Sequence, residues 1–184
     1  FTIHHYPGDV TYSINGFVAK NKDRLNGYAV KVLLKSNNNI LQTFDKKQLL
    51  SLIKICKTLI KRYKIKKKNI VGHSDIAPLR KIDPGEKFPW KQLAKKNIGI
   101  WHGCKPSLLR KFRRIKIFTQ KDKVKFVKNL NNIGYCFSVK KKSFFIKTVK
   151  AFQRRYRKEL VNGLLDKECL IIAQNLSKKT IKNS

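Results

Sequence analysis

Three residues in this sequence have the types and the spacing for hydrolytic chemistry: His73, Lys81 and Asp83. They stand in NIVGHSDIAPLRKIDPGEKFPW, which runs from Asn69 to Trp90. An imidazole offers a neutral nitrogen, a carboxylate offers a hard anionic oxygen, and zinc accepts both. A lysine two residues before the carboxylate would place positive charge where a tetrahedral intermediate develops negative charge. A plainer reading stands beside this one: His73 packs at a strand end and Asp83 caps a turn.

The surrounding sequence says how these groups would be positioned. Ile70-Val71-Gly72 is a short apolar run suited to a strand, with His73 at its exit. Pro78, Pro84, Gly85 and Pro89 then forbid a long helix, so a loop carries Lys81 and Asp83 back toward His73. Upstream, Asp45 and Gln48 form a D-x-x-Q helix start. Leu49, Leu52, Ile53, Cys56, Leu59, Ile60 and Tyr63 follow at helical spacing, with lysines on the other face. This predicts a helix from about Lys46 to Tyr63, and Lys66–Lys68 as a solvated turn before the strand.

The string GHSDIAPLRKIDPG closely resembles the signature of the zinc-dependent N-acetylmuramoyl-L-alanine amidases of bacteria, amidase type 2, and the following FPW agrees with it. The resemblance implies that His73 and Asp83 are ligands of a zinc cofactor and that Lys81 assists catalysis. It implies an α/β fold, here part of a mixed sheet with helices over residues 45–103. It also implies peptidoglycan or muropeptides as partner, hydrolysis of the lactyl–L-Ala amide, and work in the bacterial cell envelope. The family's first His ligand and its catalytic Glu belong to strands that would precede Asp45. The glutamates present are Glu86, Glu159 and Glu168. The expectation is therefore a truncated amidase, an enzyme by resemblance whose first His ligand and catalytic Glu are not found, with a non-catalytic peptidoglycan-binding module and a myosin motor-domain fragment as the alternatives.

Another segment occupies the place of those strands. Residues 1–44 contain FTIHHYPGDVTYSINGFVAKNKDRL, which resembles a segment of myosin motor domains. The chain thus reads as a chimera. No G-x-x-x-x-G-K-[ST] loop accompanies the segment, so it carries neither ATP hydrolysis nor motility by itself, and actin is a partner only if it functions. Pattern predicts strands at Phe1–His5 and Asp9–Tyr12 around Pro7-Gly8, then a helical stretch with Val30, Leu33 and Leu34. His4 and His5 would point to opposite faces of their strand, which disfavours joint chelation. His102 stands alone in a Gly-rich turn and has no assigned role.

Beyond a basic linker at 104–118, residues 119–176 read as a small all-α unit of three short helices. Val124, Val127, Leu130 and Ile133 make one apolar face; Ile146, Val149 and Phe152 a second; Leu170, Ile171 and Ala173 a third. Gly134 and Gly163 mark turns. The AFQ-R-R segment and the N-G-L-L-D turn resemble the small peptidoglycan-binding domain found beside wall hydrolases, though Val139–Lys142 departs from its pattern. Residues 177–184 read as a polar tail.

Composition bounds the partners. Net charge is +34, and 35 of the 44 basic residues are lysine. Such charge favours an anionic partner, but its even spread and poverty in arginine disfavour base-reading nucleic-acid recognition. The four cysteines lie more than 30 residues apart, outside any zinc-finger or disulfide-scaffold pattern, so free thiols are expected. No apolar run approaches the roughly 20 residues of a membrane span. No signal peptide is visible, and the absence of methionine with Phe1 at the start suggests a processed or partial chain.

Overall fold

The computed structural model describes residues 46–117, 119–135 and 142–182, and, for backbone alone, the strands at 4–6, 9–11, 13–14, 17–19 and 28–29. It divides into two compact units: residues 1–74 with 81–100, and residues 75–80 with 101–184.

In the first unit β1 (His4–Tyr6) and β2 (Asp9–Thr11) form an antiparallel hairpin with His5 opposite Val10. β3 (Ser13–Ile14), β4 (Phe17–Ala19) and β5 (Tyr28–Ala29) form a second antiparallel set. The helix expected around Val30 and Leu33 lies outside the described residues. α1 (Lys46–Tyr63) has the expected bounds. Leu52 and Cys56 are buried, while Lys54, Lys57 and Lys61 are exposed. Lys64 takes a positive φ, and the Ile65 amide reaches back to the Ile60 carbonyl at 3.2 Å. That closing bond ends the helix and turns Ile65 inward.

A 3-10 turn (Lys67–Asn69) leads into β6 (Ile70–Gly72), which pairs antiparallel with β4 at Phe17 and Gly72. Every pairing among the described strands is antiparallel, so they do not make the mixed sheet expected from the sequence. All three β6 residues are buried, as their apolar run requires. α2 (His73–Ile76) follows at once and stops ahead of Ala77-Pro78, where proline disfavours helical backbone. After the loop, α3 (Trp90–Lys95) buries Trp90 and Leu93, and Phe88 meets Trp90 edge-on at 4.8 Å.

The second unit is helical: α4 (Pro106–Phe112), α5 (Gln120–Asn132), α6 (Lys142–Tyr156) and α7 (Lys167–Lys182). Both α4 and α5 pack on α7. Phe126 of α5 meets Phe152 of α6 edge-on at 5.3 Å in the core. Three expectations change here. The basic stretch read as a linker contains α4, because Pro106 suits a first helical turn and Leu109 finds burial. The stretch read as a tail continues α7 to Lys182, because Ser177 and Thr180 extend its buried face. That face is Cys169, Ile172, Ala173 and Leu176, one step from Leu170 and Ile171.

The turn between α6 and α7 is held by a side chain. Gln153, fully buried, accepts from the amides of Asn162 (3.0 Å) and Gly163 (2.8 Å) and donates to the Leu164 carbonyl (2.9 Å). One amide group thereby replaces the water that the turn's backbone would otherwise need. Asp166 then caps α7, accepting from the Cys169 amide at 2.9 Å.

Candidate active site

His73 leaves the end of β6 directly into α2, so its position is set by a buried strand and its ring is left partly open. The chain then departs through Asp75–Arg80 and returns at Lys81. A backbone bond closes the excursion: the Ser74 amide donates to the Asp83 carbonyl at 2.9 Å. A turn follows in which the Gly85 amide meets the Ile82 carbonyl at 3.1 Å with Gly85 at φ +81°, a conformation glycine adopts without strain.

This closure brings two of the three expected residues together. The His73 Nδ1 and Asp83 Oδ2 atoms stand 3.2 Å apart, with side chains 29% and 41% exposed. A carboxylate only accepts, so the Nδ1–H donates in this pairing. The spacing also suits a shared cation. Two ligand atoms about 2.05 Å from a tetrahedral zinc lie ~3.3 Å apart. Imidazole nitrogen and carboxylate oxygen are both zinc donors, so the pair fits two corners of such a site. No group of three His, Cys, Asp or Glu suited to a metal occurs among the described residues. Lys81 lies on the returning arm, half-buried, and makes no ion pair among the described residues. The side chains of His4 and His5 lie outside the described set. Glu168 is fully buried, accepting from Arg113 Nε and Nη2 at 2.7 Å each, and Glu159 stands 3.9 Å from the same guanidinium.

Sequence reasoning passed over Asp75, two residues beyond His73. Asp75 is buried, accepts from the Tyr135 hydroxyl, and pairs with the buried Arg155 guanidinium. Burial, with the charge of Asp75 beside it, holds the Tyr135 phenol well above its ordinary value. A signal was present: acids number 10 against 44 bases, so an acid inside a motif is a scarce group.

Comparison with known proteins shows which proteins the chain resembles over most of its length. The chain is 37% identical over 146 residues to the N-acetylmuramoyl-L-alanine amidase AmiD of Escherichia coli, covering 74% of this chain and 49% of the relative. The chain is related to the N-acetylmuramoyl-L-alanine amidases. The solved complex of E. coli AmiD with anhydro-N-acetylmuramic acid-L-Ala-D-gamma-Glu-L-Lys superposes with a TM-score of 0.64 at 34% identity, over 74% of this chain and 53% of that one. AmpDh3 of Pseudomonas aeruginosa, in complex with anhydromuramic pentapeptide, gives 0.69 at 26% identity, over 90% and 67%. The chain thus spans about half the length of the curated amidase AmiD. Separately, the family model of the myosin head (motor domain) matches residues 1–78, less than half of the chain. Its match continues past residue 44 through α1 and β6.

Proposed function

We propose that this chain is a zinc-dependent N-acetylmuramoyl-L-alanine amidase unit that acts on muropeptides in the bacterial cell envelope, with His73 and Asp83 as two zinc ligands. The observation that carries this is the 3.2 Å approach of the His73 and Asp83 donor atoms within a chain related to such amidases. Zinc, when bound, would lower the pKa of a water and polarise the amide carbonyl. The chain's own residues supply the rest. β6 and the Ser74–Asp83 backbone bond hold the two donors at a fixed separation. Lys81, on the arm that carries Asp83, adds positive charge for the developing oxyanion. The bond cleaved joins the lactyl carbonyl of N-acetylmuramic acid to the amine of L-alanine.

The presence of two converging donors rather than three among the described residues favours one second reading, a muropeptide-binding unit without catalysis. Zinc stoichiometry and affinity on the purified chain, beside His73→Ala and Asp83→Ala, distinguish the two. The amidase reading expects one zinc, lost in both variants, and release of L-Ala-bearing peptide from anhydro-muropeptide. Muropeptide binding without zinc or cleavage establishes the second reading. Neither binding nor cleavage overturns both.

A further inference from the structure

The outer side of α1 carries a row of charge that the amidase chemistry does not use. From Lys54 to Lys67 every exposed residue is basic except Thr58, whose hydroxyl donates to the Lys54 carbonyl at 3.0 Å. Lys54, Lys57 and Lys61 stand at i, i+3 and i+7, on one face of the helix, and span ~10 Å along its axis. Lys64, at the turn that ends α1, continues the row, and Lys66 and Lys67 follow it. No acidic residue occurs from Lys46 to Ser74. Lys54, Lys57, Lys61 and Lys64 make no ion pair among the described residues, and Lys67 Nζ meets only a neutral oxygen, Asn97 Oδ1 at 2.8 Å. Like charges three and four residues apart work against a helix. The helix dipole offsets this for Lys61 and Arg62 in the last turn, but its influence does not reach Lys54 and Lys57.

We infer that this row is a docking surface for linear inorganic polyphosphate. A line of exposed ammonium groups matches a chain of anions rather than one small anion, which a recess would hold. Lysine is a hydrated point charge without the fork that fixes orientation, so it suits a partner that repeats one charge and offers nothing else to read. A nucleic-acid strand fits less well, because single strands are held by aromatic side chains on which bases stack. Tyr63 is the one aromatic residue from Lys46 to Lys67, and the Arg62 guanidinium lies over its ring at 5.4 Å. A lipid surface also fits less well. The apolar side of α1 buries Leu52 and Cys56 in the fold, so the helix has no apolar face to lay into a bilayer. The inference lies wholly within α1 and the turn after it, and does not depend on zinc or on the amidase reading.

The test must separate this row from the charge of the chain as a whole. It uses the full chain and short linear inorganic polyphosphate, with affinity measured across a range of salt. One variant carries Lys54→Gln, Lys57→Gln and Lys61→Gln together. Its control carries Lys121→Gln, Lys125→Gln and Lys128→Gln, an equal loss of charge from the exposed side of α5, where Asp122 already stands in the first turn. A third variant replaces the same three α1 lysines by arginine and keeps the charge. Glutamine has nearly the helix propensity of lysine, so circular dichroism should show all three folded. The α1 glutamine variant should lose about tenfold or more in affinity at ~0.1 M salt, and its plot of log affinity against log salt should be shallower by about 2, since each lost contact removes ~0.7. The α5 control should lose less than about threefold, and the arginine variant should bind within about threefold of wild type. Equal losses in the two glutamine variants overturn the inference, because bulk charge then accounts for the binding. Tighter binding of wild type to phosphatidylglycerol vesicles or to a single-stranded oligonucleotide, at equal phosphate, overturns the choice of partner.

Discussion

At the scale of single residues, this chain uses its two cationic residue types differently. Lysines dominate the charge, yet no lysine is buried among the described residues. The buried cations are arginines, Arg155 and Arg157, facing Asp75 and Asp166 respectively. A lysine is a strongly hydrated point charge, whereas a guanidinium is weakly hydrated and forked. Replacing Arg113 by Lys should therefore destabilise the chain by ~1–3 kcal/mol through loss of one of its two bonds to Glu168. A urea titration would read this as a lower midpoint at unchanged slope; an unchanged midpoint would count against the pairing. Thiols divide by burial in the same way. Burial pushes Cys56 and Cys169 up to about 12, with Asp166 adding to the effect at Cys169. Cys104 is also raised by burial but is opposed by Lys179, and its residue is only half-buried. Among these three, Cys104 should react first with iodoacetamide near pH 8, as peptide mapping of a time course would show.

At the scale of elements, turn chemistry decides how sharply each helix ends. Gly134 follows α5 at φ +96° with open space around it, and the Tyr135 amide returns to the Leu130 carbonyl at 3.0 Å. Gly163 has a similar φ of +79°, but an added Cβ would meet Ile146 Cγ2 at 2.8 Å and Lys150 at 3.1 Å. Gly134→Ala should then cost ~1 kcal/mol, from the backbone conformation alone. Gly163→Ala should cost more, ~2–3 kcal/mol, because side chains of α6 must also shift. Comparison of the two melting temperatures tests the argument, and equal shifts would contradict it. The positive φ of both turns was readable from the glycines themselves. Their difference in crowding was not, since Ile146 and Gly163 are separated by the whole end of α6. The apolar face of α5 was also read imperfectly. Val124 fits the helical period but is 56% exposed, and Phe126 takes the buried position instead.

At the scale of the whole molecule, two electrostatic consequences follow. Buried phenols and thiols keep their protons in the fold. Tyr135 and Tyr156 are both raised from the ordinary 10.0, mainly by burial, and Cys56 and Cys169 from 9.0. Above those ordinary values the unfolded chain loses protons that the folded chain retains, so stability present at lower pH declines as pH rises. Each such group contributes a slope of ~1.4 kcal/mol per pH unit. Chemical denaturation between about pH 8 and pH 11 should show the decline, with a shallower slope in Tyr135→Phe. The net charge of +34 also predicts adsorption to anionic polymers of many kinds. Retention on a polyphosphate resin should weaken steeply as the Debye length falls from ~10 Å at ~0.1 M salt to ~3 Å at ~1 M. Zinc uptake by the His73–Asp83 pair should be far less sensitive, since that contact is short. No helix among the described residues is long and apolar enough to cross a membrane.

The sequence by itself determined what depends on neighbours in the chain. The bounds of α1, the strand that leads into His73 and the prolines that cut α2 short all follow from local period and turn residues. Tertiary structure alone decided what joins residues far apart. It buried Asp75 against Arg155 and Tyr135, folded the basic stretch around Arg113 onto Glu168, and continued α7 through Ser177. A one-dimensional pattern carries periodicity, whereas desolvation depends on which distant surfaces exclude water together, and that exclusion is what makes a scarce carboxylate worth an arginine.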